Sequence, residues 1–149
     1  DICSAIVELS EKHPDCNFVY PVHLNPHVKE VVHQKLSGLK NVVLLDPLPY
    51  DQLLYLLSKC TFVLTDSGGI QEEAPSFGKP CLVMRSTTER TEGVESGCAV
   101  LVGNEKSKIV ESVSLLLKNH EVHTKMSPVS NPYGDGKAAS RIVDHILKF

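Results

Sequence analysis

Phe62-Val63-Leu64-Thr65-Asp66-Ser67-Gly68-Gly69-Ile70-Gln71-Glu72-Glu73-Ala74 reads as a strand that turns at its carboxyl end straight into a helix. Residues 62–65 are apolar and favour a pleated chain. Gly68 and Gly69 remove Cβ atoms from the turn, and Ser67 stands where a helix takes its cap. Helical spacing begins at Ile70. A strand, a glycine turn and a helix in immediate succession form the repeating unit of α/β domains.

The unit recurs outward in both directions. Short apolar runs occupy 18–22, 42–45, 62–65, 81–84 and 99–102. Helical spacing occupies 2–12, 26–36, 50–58, 70–77, 91–96 and 107–119, then 120–126 and 138–148. The runs are almost continuously apolar, as in strands covered by helices on both faces. They predict an α/β fold with a Rossmann-like, doubly wound parallel sheet. The length of 149 residues fits one domain. Such a domain normally opens on a strand that becomes central, whereas this sequence opens in a helix, which predicts a domain truncated at its N-terminus.

Composition narrows the function. Lys+Arg 15 against Asp+Glu 18 gives a formal charge of -3, so no global basic field draws in nucleic acid or anionic lipid. Any anion must be held by a local device. Cys3, Cys16, Cys60, Cys81 and Cys98 are odd in number, scattered and lack CxxC spacing. They read as reduced, buried thiols of a cytoplasmic protein, with no structural metal expected. No apolar run approaches the roughly 20 residues of a membrane span, and no secretory signal opens the chain.

Ligands of open parallel sheets bind beyond the carboxyl ends of the strands. At the 62–74 turn, Gly68 and Gly69 allow a phosphate to approach the backbone, where first-turn N–H groups and the helix dipole favour an anion. The Ser67 hydroxyl serves either as helix cap or as phosphate donor. Glu73, one turn on, would repel a phosphate but suits the hydroxyls of a ribose. Glu72 reads as a first-turn acid in water. In the following loop Arg90 suits a diphosphate, or pairs with Glu89 or Glu92 at the surface. His23, in Tyr20-Pro21-Val22-His23-Leu24-Asn25-Pro26, either meets an anionic ligand or caps the turn. His13, His33, His120, His123 and His145 carry no assigned role. No GxSxG, HExxH or carboxylate pair is present. These residues describe a binding half without its chemistry.

The run DSGGIQEEAPSFGKPCLVMRSTTER, with YPVHLNP upstream and NPYGDGKA downstream, closely resembles the non-hydrolysing UDP-N-acetylglucosamine 2-epimerases over essentially the whole chain. The resemblance implies the C-terminal, UDP-binding domain (1–149) of a two-domain, GT-B-type architecture, with a final helix from about 137 crossing back toward the N-terminal domain. It implies that Ser67, Gly68 and Gly69 hold the UDP diphosphate, that Glu73 accepts from the ribose, and that Arg90 contacts the ligand from the opposite loop. Leu48, through its backbone, and Leu53 match the segment that lines uracil, although an aromatic ring is common at the Leu53 position. His23 falls in the motif that helps bind a second UDP-N-acetylglucosamine as an activator. Thr91 departs from a common proline and implies a looser loop.

The implied reaction interconverts UDP-N-acetylglucosamine and UDP-N-acetylmannosamine at C2 by elimination and re-addition of UDP. The family uses no redox cofactor, and a homodimer is the expected assembly. Its acid/base residues lie outside these 149 positions, so no catalytic residue is assigned here. A hydrolysing 2-epimerase, a glycosyltransferase of the same plan and a stand-alone UDP-sugar sensor remain alternatives at this stage, because fold alone does not fix function.

Overall fold

The computed structural model describes residues 1–128 and 130–148. Its elements, in chain order, are α1 (Ile2–Lys12), β1 (Phe18–Pro21), α2 (Pro26–Leu36), β2 (Val42–Leu45), α3 (Tyr50–Lys59) and β3 (Val63–Thr65). There follow α4 (Gly68–Glu73), a 3-10 turn (Ala74–Phe77), β4 (Cys81–Val83), α5 (Thr91–Glu95), β5 (Ala99–Leu101), α6 (Lys106–Lys118), α7 (His120–Met126) and α8 (Ala138–Ile146). The helix expected over 70–77 instead starts at Gly68 and tightens into the 3-10 turn. Pro75 has no N–H to continue the ladder, and Gly78, at φ 66, ends it in the left-handed region.

All strand pairs are parallel, in accord with the α/β reading. Among the described residues the strands form two ladders, β1–β2 and β3–β4–β5. The expected cover on both faces holds only in part. Every residue of β4 is buried, but Val19 and Val43 are each 43% exposed. Tyr20, Val22, Val42 and Leu44 pack with Ile6 of α1 and with Val32 and Leu36 of α2. The period of two in a strand turns Val19 and Val43 to the opposite face, which lacks that cover.

The main core joins Ala5 and Leu9 of α1 to Leu82, Val102, Met126 and the Ile109, Val110, Val113 and Leu116 face of α6. These positions follow the helical period, so α6 presents one apolar stripe to α1. Each fully buried aliphatic side chain contributes roughly 1.5–3 kcal/mol. Phe18 of β1 and Leu64 of β3 both pack on this cluster, so the two ladders share a core without sharing hydrogen bonds. The expectation of five buried thiols is also corrected: Cys81 and Cys98 are buried, but Cys3, Cys16 and Cys60 are only partly so. Burial pushes the Cys81 thiol up to about 12.

Candidate functional site

The turn after β3 is built from its own side chains. Thr65, buried at the strand end, accepts the Ser67 N–H on its Oγ1 at 3.0 Å, which aims the chain into α4. Ser67 is the N-cap residue, yet its hydroxyl makes no capping bond. Of the two roles open to that hydroxyl, capping is therefore not the one adopted.

Arg90 comes from the loop after β4 and lies across this turn. A Cβ placed on Gly68 would stand 3.1 Å from Arg90 Cζ and 3.3 Å from both Nε and Nη2. Glycine at 68 thus permits the guanidinium to sit on the helix start. Nε donates to Glu72 Oε1 at 2.8 Å, and Nη1 donates to Glu89. The Glu72 hydrogen bond raises the Arg90 pKa, with the charges of Glu89 and Glu72 adding to it. Glu72 is therefore not an acid left in water, as its position suggested: it anchors Arg90. Glu92 takes no part. Nε and Nη2 stand equally close to Gly68, and Nε and Nη1 are the nitrogens that the two carboxylates engage.

Behind this pair lies a polar bridge that the sequence did not announce. Gln71 is 0% exposed. Its Nε2 donates to the Ser67 carbonyl at 3.1 Å, and its Oε1 accepts from Thr88 Oγ1 at 2.8 Å. Thr88 Oγ1 in turn accepts the Arg90 N–H at 3.1 Å. One buried amide thus ties the Ser67 turn to the Arg90 loop, and every group in the chain is satisfied. The i to i+4 spacing of Ser67 and Gln71 hinted at half of this bridge. Nothing local pointed to Thr88.

The third wall is the start of α3. Leu48 is partly buried in the loop after β2 and Leu53 is partly buried in the first turn of α3, whose N–H donates to the Pro49 carbonyl at 3.0 Å. Between them, the Tyr50 hydroxyl meets the Glu73 carboxylate, and that hydrogen bond raises the Tyr50 pKa. Tyr50, overlooked in the sequence, is thus the residue at the start of α3 that faces Glu73. His23 is exposed in the loop after β1, where its Nδ1 accepts the Asn25 N–H at 3.1 Å. A cavity of about 360 Å³ opens beside the Arg90 loop, lined by Met84, Arg85, Ser86, Thr87, Glu89 and Asn104. It shares Glu89 with the Arg90 pair and excludes Ser67 and Glu73.

Comparison with known proteins adds the family. The family model described as UDP-N-acetylglucosamine 2-epimerase matches residues 1–147. The chain belongs to the UDP-N-acetylglucosamine 2-epimerase family. A UDP-N-acetylglucosamine 2-epimerase of Yersinia pestis is 53% identical over 142 residues, covering 95% of this chain and 38% of that protein. The crystal structure of UDP-GlcNAc 2-epimerase from Neisseria meningitidis bound to UDP-GlcNAc superposes with a TM-score of 0.95 at 48% identity, over 99% of this chain and 40% of that one. The Methanocaldococcus jannaschii UDP-GlcNAc 2-epimerase, in complex with UDP-GlcNAc and UDP, superposes with a TM-score of 0.82 at 33% identity. It is matched over 99% of this chain and 40% of its own. The chain thus spans about two fifths of the length of these relatives. Among its described residues, no helix is long and apolar enough to cross a membrane.

Proposed function

We propose that these residues are the UDP-binding, C-terminal domain of an enzyme that interconverts UDP-N-acetylglucosamine and UDP-N-acetylmannosamine. The observation that carries the proposal is Arg90 over Gly68 at an uncapped serine turn, in a chain of the 2-epimerase family. Ser67, Gly68 and Gly69 face the diphosphate, with Nη2 of Arg90 closing on it. Glu73 accepts from the ribose hydroxyls, and Leu48 and Leu53 line the base. His23 serves a second nucleotide-sugar site beside the catalytic one.

The chemistry follows from what such a cradle stabilises. Elimination removes the C2 proton and breaks the C1–O bond, leaving a glycal and free UDP. The bond electrons go to the β-phosphate, where a guanidinium and backbone donors lower the cost of the developing charge. UDP held in place then adds back at C1 while C2 takes a proton on the other face. Proton transfer at C2 is assigned to residues outside these 149, and no redox cofactor is required.

The exposed face of α8 supports the two-domain reading. Ile142, Val143, Ile146 and Leu147 are 58%, 53%, 64% and 79% exposed, and α8 buries no residue. Such a face fits a helix that crosses to another domain. A cytoplasmic homodimer completes the proposal.

The test incubates the full-length protein with UDP-N-acetylglucosamine in deuterated water. Deuterium at C2 of intact UDP-sugar supports the epimerase reading. Release of free sugar, or transfer to an acceptor, sinks it in favour of a hydrolysing epimerase or a glycosyltransferase, and UDP-sugar binding without exchange favours a sensor.

A further inference from the structure

Residues 131–133 reach both sides of the Gly68–Arg90 contact. Asn131 Nδ2 donates to the Glu72 carbonyl at 2.9 Å and to Ser76 Oγ at 2.7 Å. Its Oδ1 accepts the Tyr133 N–H at 2.9 Å. The Tyr133 hydroxyl then donates to the Arg90 carbonyl at 3.2 Å and accepts the Gly93 N–H at 3.1 Å. One short segment is therefore fastened to the helix behind Ser67 and to the main chain of Arg90 itself.

The Tyr133 bonds have a specific meaning for α5. Arg90 is the N-cap of that five-residue helix and makes no side-chain capping bond. Gly93 is its third residue, and its N–H is one of the first-turn donors that a cap normally satisfies. Tyr133 supplies that cap from forty residues away, while holding the carbonyl of the N-cap residue. A helix this short does not hold its own start. The seat is close-fitting: a Cβ on Gly93 would stand 2.5 Å from the Tyr133 hydroxyl and 3.3 Å from Ala99 Cβ.

We propose that Tyr133 is a positioning residue for Arg90: by capping α5 from outside, it fixes the backbone from which the guanidinium reaches across Gly68, and so tunes affinity for the diphosphate of a nucleoside diphosphate. The proposal rests on the nucleotide reading above. It assigns Tyr133 no contact with the ligand. Without the hydroxyl, the start of α5 frays and the Arg90 backbone is no longer fixed, so that the Glu72 and Glu89 bonds alone position the guanidinium.

The test measures UDP and uridine binding to the full-length protein by calorimetry, for the wild type, Tyr133→Phe, Arg90→Ala and the double variant. Tyr133→Phe is expected to weaken UDP roughly two- to ten-fold, the effect of one or two neutral hydrogen bonds, and to leave uridine unchanged. In the Arg90→Ala background the same change is expected to have almost no effect on UDP, because its route of action is gone. Gly93→Ala, which displaces the hydroxyl with Tyr133 in place, is expected to give the same UDP-selective loss and serves if Tyr133→Phe does not fold. Equal loss of UDP and uridine, full additivity with Arg90→Ala, or unchanged UDP affinity in Tyr133→Phe overturns the proposal while the nucleotide reading stands. A wild type that binds no UDP removes both.

Discussion

The Arg90 guanidinium rests on Gly68 so closely that a Cβ there would stand 3.1 Å from Arg90 Cζ. Two loops, one after β3 and one after β4, thus meet at a point where a Cβ in place of the glycine would make the guanidinium shift. The neighbouring Gly69 is different: the nearest atom to its Cβ position is Ser67 Oγ at 3.9 Å.

Gly68→Ala is therefore expected to push the guanidinium off the helix start, while Gly69→Ala leaves it in place. With the loss of a charge-assisted contact worth roughly ten- to a hundred-fold, Gly68→Ala should weaken UDP markedly and leave the thermal midpoint nearly unchanged. Titration calorimetry on both variants decides this. Wild-type affinity in Gly68→Ala contradicts the arrangement.

Gln71→Leu removes the amide that joins the Ser67 carbonyl to Thr88. Stripping a buried bridge leaves its former partners unpaired, at about 1–3 kcal/mol. Urea denaturation should show a lower midpoint with an unchanged slope. An unchanged midpoint would mean that the bridge contributes nothing to the fold.

Glu8 of α1 bonds Lys106 of α6 at 2.7 Å and Lys12 at 2.6 Å. These partners hold its carboxyl down at about 2. A carboxyl lowered in the fold adds stability above the ordinary carboxylate range, and that contribution fades as pH falls from about 4.5 toward 2. The stability gap between wild type and Glu8→Gln should hold constant from pH 7 to 5 and narrow below 4.5. A gap that persists unchanged to pH 2 rules out this account of the α1–α6 tie.

Ile142→Ser with Ile146→Ser tests the uncovered face of α8. If that face packs on another domain, the pair lowers the thermal midpoint and the epimerisation rate of the full-length protein but leaves UDP affinity near wild type. Wild-type midpoint and rate would show that the face has no such partner.

Much of the architecture was legible because it is local. Among the described residues, the β-branched runs and the helical spacing located the five strands and every α-helix but α4 within one or two residues, since 18–21 and 26–36 carry their own period and Asn25 caps α2 through the His27 N–H. Gly134 and Gly136 of the NPYGDGKA run take φ of 138 and 75, which only glycine adopts readily. What escaped was non-local. The Gln71–Thr88 and Tyr133–Gly93 bonds join positions with no common period. The anchoring role of Glu72 was hidden for the same reason, since its partner stands eighteen residues on and its own neighbourhood reads as an ordinary first turn.

The most direct measurement is the crystal structure of the full-length protein with UDP. It is expected to show diphosphate oxygens about 3 Å from Ser67 Oγ, the Gly69 N–H and the Arg90 guanidinium, with Glu73 on the ribose. A diphosphate bound away from these residues, with Arg90 still held by Glu72 and Glu89 alone, would contradict the account.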